Sequence, residues 1–148
     1  MSSPTMPAPD AKQFGYILKR AQQSLRARMD LQLRAHELTT PQYAVLSAVA
    51  ASPGVSNADL AKAAFITPQT MQSIIATLEK RGLLERSPDP DHGRRLLTQL
   101  TANGRRAKNA ADDAVSGVEA MMVGSISSRD VEHTTETLLA CIENLAEK

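Results

Sequence analysis

The stretch from Thr67 to Thr101 constrains the fold of this chain more than any other part of the sequence. Thr67-Pro68 is typical of a helix start and Gly82 of a helix end. Between them, apolar residues at 71, 74, 75 and 78 predict one buried stripe on a short helix. Apolar runs on either side of a Pro/Asp/Gly turn then predict two strands, Leu83 to Ser87 and Arg94 to Leu100. The sequence therefore predicts a helix followed directly by a β-hairpin.

The remainder of the sequence predicts helices. A stripe of apolar residues predicts a long first helix over about 11–35, longer than this chain needs for its own core, which suggests that it packs on another subunit. Thr40 with Pro41 is expected to start the second helix. Ser56 and Ser127 each begin a predicted capping box that ends in aspartate, and Thr101 is expected to cap a helix that ends near Gly124.

Composition and charge narrow the class of protein. Aromatic residues make up 3% of the chain, so an aliphatic core is expected, and the low aromatic content favours helices. The net charge of +1 combines a basic region, residues 1–108, with an acidic one, residues 109–148, as in a chain that binds a polyanion with one part only. The first ten residues read as a disordered tail, and no apolar run is long enough to span a membrane.

The helix that begins at Thr67-Pro68 would expose an unusual face, with no acidic residue before Glu79. An ordinary solvated helix usually carries Glu–Lys pairs. Glutamine amides can instead bond an adenine edge, hydroxyls can meet bases or phosphates, and small methyls fit the thymine methyl. This pattern favours a helix that reads the major groove of duplex DNA. Its exposed residues would be Gln69, Thr70, Gln72, Ser73, Ala76, Thr77 and Lys80.

Two short helices joined by residues 63–66 form a helix-turn-helix, and the hairpin after them makes it winged. Arg94 and Arg95 follow the hairpin tip, where Gly93 would permit positive φ, and an arginine there suits a narrow minor groove. Because strand neighbours point to opposite faces, only one of the two is expected to face DNA, and the sequence leaves open which. Alone, such a pair is ordinary surface. Candidate phosphate contacts are Lys62, Lys80, Arg81, Arg86, Arg105 and Arg106.

Five segments together resemble the MarR family of winged helix-turn-helix regulators. They occur in the family's order and spacing, and the likeness extends over about residues 13–145. The resemblance implies a single domain over 11–148, with a winged helix-turn-helix lobe at about 38–101 and dimerisation helices at about 11–35 and 102–147. The fold class expected is thus mainly α with a small β-hairpin wing. The matching segments are Leu38–Leu46, Asn57–Ala61, Leu78–Leu84, Asp89–Arg94 and Leu100–Gly104.

The resemblance also implies a homodimer that binds a pseudo-palindromic operator in double-stranded DNA, usually as a repressor. Wings of the family usually carry Asp-x-Arg, with the arginine in the minor groove. The aligned triplet here is His92-Gly93-Arg94, so Arg94 matches the groove arginine. His92 replaces the supporting aspartate, and the neighbouring Asp91 is a candidate substitute.

Many relatives of this type lose DNA affinity when a small aromatic or phenolic molecule binds between the dimer helices and the DNA-binding lobe. Tyr16, His36 and Tyr43 are the candidate effector-binding residues, although buried tyrosine and histidine more often only satisfy core hydrogen bonds. Redox-sensing relatives carry a reactive cysteine in the first helix, whereas Cys141 lies in the last helix and reads as a small buried hydrophobe.

The predicted function is therefore sequence-specific binding of duplex DNA by a cytoplasmic transcriptional regulator, relieved by a small molecule. The alternative from another class is a winged-helix module that binds proteins and has lost DNA binding. No catalytic order of residues, phosphate loop or clustered metal ligands occurs in the sequence, so neither an enzyme, a cofactor nor a metal site is expected.

Overall fold

The computed structural model describes residues 13–147, and these residues form a mainly helical winged helix-turn-helix, as the sequence predicted. The predicted tail at 1–10 lies outside the described residues. A short 3-10 turn, Arg34–His36, prolongs the first helix. The helices and strands are α1 Phe14–Leu33, α2 Thr40–Ala51, α3 Asn57–Ala63, α4 Pro68–Lys80, β1 Leu84–Pro88, β2 Leu96–Leu100, α5 Ala102–Val123 and α6 Ser128–Leu145.

Hydroxyl side chains fix the helix starts, because each accepts a hydrogen bond from an otherwise unpaired backbone N–H in the first turn. The predicted caps at Ser56, Thr67, Thr101 and Ser127 are confirmed. The prediction for α2 is wrong by one residue, since Thr39 is the cap and forms a capping box with Gln42.

The two capping boxes predicted at Ser56 and Ser127 are only half formed. Ser56 Oγ accepts from the Asp59 N–H at 3.2 Å, and Ser127 Oγ accepts from the Asp130 N–H at 3.1 Å. Within residues 13–147 neither aspartate bonds back to the N–H of its cap. The reciprocal bond of a capping box is usually made by glutamate or glutamine, whose side chains are one methylene longer.

The core lies where the helices of the winged lobe meet α1 and α5. Met71, Ile75 and Leu78 of α4 are fully buried and Ile74 is half-buried, which confirms the predicted stripe. Burial of apolar surface on this scale is the main stabilising contribution to such a fold. The largest fully buried side chains are Leu33, Leu46, Leu60, Met71, Ile75, Leu78, Val45, Val49 and Thr98.

The hairpin is anchored at its base to both neighbouring helical segments. Its antiparallel register pairs Leu84 with Leu100 and Pro88 with Leu96. The Gly54 N–H donates to the buried Thr98 carbonyl at 2.9 Å, which ties β2 to the loop between α2 and α3. Gly104, in the first turn of α5, lies so close to Leu83 that an added Cβ would be 1.9 Å from the Leu83 carbonyl oxygen. The wing is therefore held in a fixed position relative to α5.

The wing tip differs from the prediction. β2 begins at Leu96, so Arg94 and Arg95 lie in the turn and the argument from strand alternation does not apply to them. Gly93 does not adopt positive φ. The Asp89 N–H still donates to the Arg95 carbonyl at 2.8 Å, but the Arg95 N–H donates to the His92 carbonyl at 2.9 Å and not back across the hairpin, so the ladder ends there. Asp89 Oδ1 instead accepts from the Asp91 N–H at 2.8 Å and shapes the turn.

The last helix differs from the others because α6 buries none of its residues. Its apolar residues recur at helical spacing and share one face, and within the described chain that face is largely uncovered: Ile142 is 66% exposed and Leu145 is 84% exposed, while Val131 and Leu138 are half-buried. Among residues 13–147, no helix has the length and apolar character needed to cross a membrane.

Candidate nucleic-acid interface

The outward face of α4 is as polar as the sequence predicted. Gln69, Thr70, Gln72, Ser73, Ala76, Thr77 and Lys80 are all exposed. The Thr67 and Thr77 hydroxyls are used inside the helix, since Thr67 Oγ1 donates to Thr70 Oγ1 and Thr77 Oγ1 donates to the Ser73 carbonyl, both at 3.0 Å. In the described chain the amides of Gln69 and Gln72 make no hydrogen bond and are available to a ligand.

The first acidic residue of α4 is neutralised by the wing. Glu79 Oε1 lies 3.1 Å from Arg86 Nε, and the Arg86 side chain is only 18% exposed. Arg86 therefore connects β1 to the end of α4 and weakens a negative charge that would repel phosphate. Its neighbour in the predicted phosphate set, Arg81, is also engaged, because its guanidinium donates to the Glu37 carbonyl at 2.8 Å. Both arginines fix the geometry of the lobe.

The two tip arginines have different surroundings. Arg95 Nη2 lies 3.8 Å from Asp59 Oδ2 on α3, an exposed ion pair that joins the wing to the first helix of the motif. Arg94 and His92 are exposed, and within residues 13–147 Arg94 forms no ion pair, with Asp91 or with any other carboxylate. Arg94 is therefore the tip guanidinium that projects without a partner. A concave surface between the wing and α3 is lined by Ser56, Asn57, Ala58, Asp59, Arg86, Arg94, Arg95, Leu96 and Thr98.

The positions of Asp59 and Phe65 at this surface were not predicted from the sequence. Asp59 was interpreted only as a capping residue, and its contact with Arg95 depends on how the wing packs against α3, which no local pattern predicts. Phe65 was interpreted only as part of the turn, yet it is 98% exposed and has φ 56°. A phenylalanine two residues before a helix cap, where a glycine is common at the end of the preceding helix, was the available signal.

The three candidate effector residues do not line one cavity. Tyr16 on α1 is exposed, and His36 is half-buried in the 3-10 turn. Half-buried Tyr43 donates its hydroxyl to Asp112 Oδ1 at 2.5 Å, and Lys108 Nζ lies 2.9 Å from the same carboxylate. An apolar cavity of about 310 Å³ does lie between α1 and α5. Its lining residues are Ala21, Ser24, Leu25, Arg28, Val118, Met121 and Met122.

Burial and hydrogen bonding set the ionisation of the Tyr43–Asp112 pair. Burial raises the pKa of Tyr43, and its hydrogen bond to the Asp112 carboxylate raises it further. Burial also acts to raise the pKa of Asp112, but the hydrogen bonds from Tyr43 and Lys108 and the Lys108 charge outweigh it and leave that pKa below its usual value. The pair therefore joins α2 to α5 as a neutral phenol bonded to an ionised carboxylate.

The remaining reactive side chains are dispersed. Cys141 is half-buried on α6 and free. In the part of the chain that the structure describes, no group of three or more histidine, cysteine, aspartate or glutamate side chains is placed to hold a metal ion.

Two short helices joined by a turn, α3 and α4, followed directly by the β1–β2 hairpin, make this a winged helix-turn-helix protein. Comparison with known proteins identifies the family. The sequence profile of the MarR family matches residues 36–95. The HTH-type transcriptional repressor Rv2887 of Mycobacterium tuberculosis is 33% identical over 119 residues, which cover 80% of this chain and 86% of that protein. This chain belongs to the MarR family.

Solved structures agree with this assignment. The Mycobacterium tuberculosis MarR family protein Rv2887 in complex with salicylic acid superposes with a TM-score of 0.72 at 30% identity, covering 91% of this chain and 97% of that one. The transcriptional repressor CouR bound to a 23-mer DNA duplex superposes with a TM-score of 0.77 at 26% identity, covering 93% of this chain and 99% of that one.

Proposed function

We propose that this protein is a homodimeric transcriptional regulator that binds a pseudo-palindromic DNA operator, acts as a repressor in the cytoplasm, and is released by a small aromatic molecule. It acts by binding and not by catalysis. The observation that carries the proposal is the outward face of α4, which is exposed, rich in hydrogen-bonding side chains and free of acidic residues before Glu79. The relatives support the proposal, since they include a repressor bound to duplex DNA.

Each groove of the operator is read by a different element. α4 lies in the major groove, where the free amides of Gln69 and Gln72 bond base edges and Thr67, Pro68, Thr70, Ser73, Thr77 and Lys80 complete the contact. Arg94 enters the adjacent minor groove, with His92 and Arg95 beside it at the wing tip. Arg86 supports this arrangement through its contact with Glu79. Lys62, Arg105 and Arg106, all exposed, contact phosphates.

The uncovered apolar face of α6 supports the homodimer. An 18-residue helix that buries none of its residues is weakly stabilised within its own subunit, because most of the stability of a protein helix comes from packing of its apolar face. Exposed apolar side chains on α1, among them Phe14 and Leu18, extend the surface to be covered. The dimerisation helices at 11–35 and 102–147 then flank one reading lobe at 38–101 in each subunit. Two-fold symmetry predicts half-sites about one helical turn, roughly 10 bp, apart.

The effector is proposed from a relative and from this structure together. Rv2887 has been crystallised with salicylic acid. In this chain Tyr43 lies on α2 within the reading lobe, and its partner Asp112 lies on α5, so a ligand that displaces this contact would act on the joint between lobe and dimer helices. Tyr16 on α1 and His36 in the turn after it are the other two candidate effector residues. A ligand shifts the dimer only if it binds the two lobe spacings with different affinity.

Fluorescence anisotropy with a labelled duplex from the region upstream of its own coding sequence tests the proposal. We expect tight binding. The logarithm of the association constant should fall linearly with the logarithm of salt concentration, because binding releases counterions from the DNA. Gln72→Glu places a negative charge on the reading face and should abolish binding, whereas Gln32→Glu, the same change on exposed α1, should not. Salt-insensitive or absent binding would instead favour a protein-interaction module.

Analytical ultracentrifugation tests the dimer. Ile142→Glu places a charge in the apolar face of α6 and should produce monomers, whereas Glu143→Gln on the neighbouring exposed position should leave the dimer intact. A wild-type protein that sediments as a monomer at micromolar concentration would overturn this part of the proposal.

A further inference from the structure

Phe65 combines two unfavourable features in one residue. Its side chain is 98% exposed, more than any other large apolar side chain in the described chain. Its backbone has φ 56°, in the left-handed region that non-glycine residues rarely occupy. At a position with this φ, phenylalanine stabilises the isolated subunit less than glycine would. An exposed aromatic ring held in a strained conformation indicates a role outside the core.

The backbone around Phe65 explains the positive φ. α3 ends in a Schellman motif, in which the Ile66 N–H donates to the Ala61 carbonyl at 3.0 Å and the Phe65 N–H to the Lys62 carbonyl at 3.4 Å. The residue at the left-handed position of this motif is usually glycine. The hydrophobic contact that accompanies the motif is supplied by Ile66, which packs against the core. The fold therefore requires the backbone conformation at residue 65. The exposed aromatic ring makes no contribution to the core.

The surroundings of Phe65 indicate its partner. Thr67, the cap of α4, follows two residues later, and Pro68 and Gln69 begin the exposed reading face. No acidic residue occurs between Asp59 and Glu79, so the ring lies in a stretch that a polyanion can approach. The apolar surface left for a second subunit lies on other elements, α1 and α6. Phe65 is thus continuous with the DNA-reading face.

We infer that Phe65 is a DNA-contacting side chain that packs against apolar atoms of the duplex, a thymine methyl or a deoxyribose, where the start of α4 enters the major groove. The inference deepens the proposed function and depends on it. Phenylalanine contact with the thymine methyl is a known form of base recognition. The ring then contributes to the preference for the operator over other DNA.

Variants at position 65 separate this role from a structural one. Phe65→Gly suits the left-handed conformation, so its melting temperature should equal or exceed that of the wild type. Its affinity for a duplex selected by the wild-type protein from a random-sequence pool should nevertheless fall roughly tenfold. Phe65→Asn, which also accepts positive φ, should lose affinity similarly, whereas Phe65→Tyr keeps the ring and should bind like the wild type.

Deoxyuridine in place of single thymines distinguishes the two DNA groups. If the ring contacts a methyl, one deoxyuridine substitution in each half-site lowers the affinity of the wild-type protein for the duplex. The same substitution leaves the affinity of Phe65→Gly unchanged. If it contacts a deoxyribose, Phe65→Gly weakens binding and every deoxyuridine substitution affects both proteins equally. Wild-type affinity in Phe65→Gly would overturn the inference and leave the proposed function standing. If the wild-type protein selects no duplex, the proposed function falls and the inference with it.

Discussion

The Tyr43 hydroxyl donates a hydrogen bond to Asp112 Oδ1 at 2.5 Å, although 69 positions separate the two residues in sequence. The bond joins α2, inside the reading lobe, to α5, the long helix that leads to α6. Hydrogen bonds to an ionised acceptor are stronger than those between neutral groups, and partial burial strengthens this one. It is a specific polar connection between the lobe that carries α4 and the helices proposed to join the subunits.

Tyr43→Phe should lower the free energy of unfolding by about 1–2 kcal/mol, because it removes this bond and keeps the ring. Urea denaturation monitored by circular dichroism measures the change. Asp112→Asn retains an acceptor and should cost less. Equal stability of Tyr43→Phe and the wild type would show that the contact contributes nothing in solution.

Acid should destabilise the protein through Asp30. The hydrogen bond from the Thr40 hydroxyl, aided by Arg26, holds the pKa of Asp30 below its ordinary value of 3.8 although burial opposes this. Because the folded-state pKa is lowered, the stabilisation is present above 3.8 and is lost as pH falls through the lowered value. Thr40→Val should therefore move the midpoint of acid unfolding to higher pH.

Thr135→Val is the control for that experiment. The Thr135 hydroxyl donates to the Val131 carbonyl, which does not titrate, so this variant should keep the acid midpoint of the wild type. An acid midpoint in Thr40→Val equal to that of the wild type would count against a role for Asp30.

Gly104→Ala should destabilise the fold by about 3 kcal/mol, since the new methyl would meet the Leu83 carbonyl oxygen at 1.9 Å and force the hairpin away from α5. Gly117 on the same helix has nothing within 4 Å, so Gly117→Ala should stabilise by about 0.5–1 kcal/mol. Thermal denaturation of the pair measures both effects. The prediction fails if the two variants shift the melting temperature in the same direction.

Arg94→Ala should lower DNA affinity most on duplexes with A·T-rich flanks, where a narrow minor groove concentrates negative potential. Arg95→Ala should lower it less, because Arg95 already faces Asp59 at 3.8 Å. Anisotropy titrations on A·T-rich and G·C-rich flanks compare the two. Equal losses for both variants on both flanks would exclude a groove-specific role for the wing.

Gln72→Ala should relax base preference and leave binding to unrelated DNA nearly unchanged, since an amide that bonds a base edge adds specificity and not bulk affinity. Selection of duplexes from a random pool by the variant and by the wild type reports the change position by position. A uniform loss on all sequences would make Gln72 a phosphate contact.

Structural features that are set by residues close together in sequence could be predicted. The stripe of Met71, Ile75 and Leu78 and the cap at Thr67 are local patterns with a single structural solution, and the structure confirms both. The polar face of α4 follows from the same stripe, because the residues between buried positions must point outward. Most of the candidate interface could therefore be predicted from the sequence.

Contacts that depend on tertiary packing were not predictable. The ion pair of Arg95 with Asp59 and the approach of Gly104 to Leu83 join segments whose separation is set by the whole lobe. The position of the tip arginines was mistaken because the Arg95 N–H bonds to the His92 carbonyl within the loop, so the alternation of strand residues ends before it reaches them. The positions of the charged side chains at the wing therefore depend on how the whole lobe folds, and the local sequence alone does not predict them.

The exposed apolar face of α6 has a consequence for how this protein folds and assembles. If the homodimer forms as proposed, a helix that buries none of its residues within its own subunit is stabilised when the second chain covers it, so the last step of folding is bimolecular. Under the proposed dimerisation, α6 of each newly made copy stays open to proteolysis until a second copy covers it, and dilution of the dimer restores that state. The concentration of the protein in the cell would then determine how much of it survives proteolysis, before any ligand or operator acts on it.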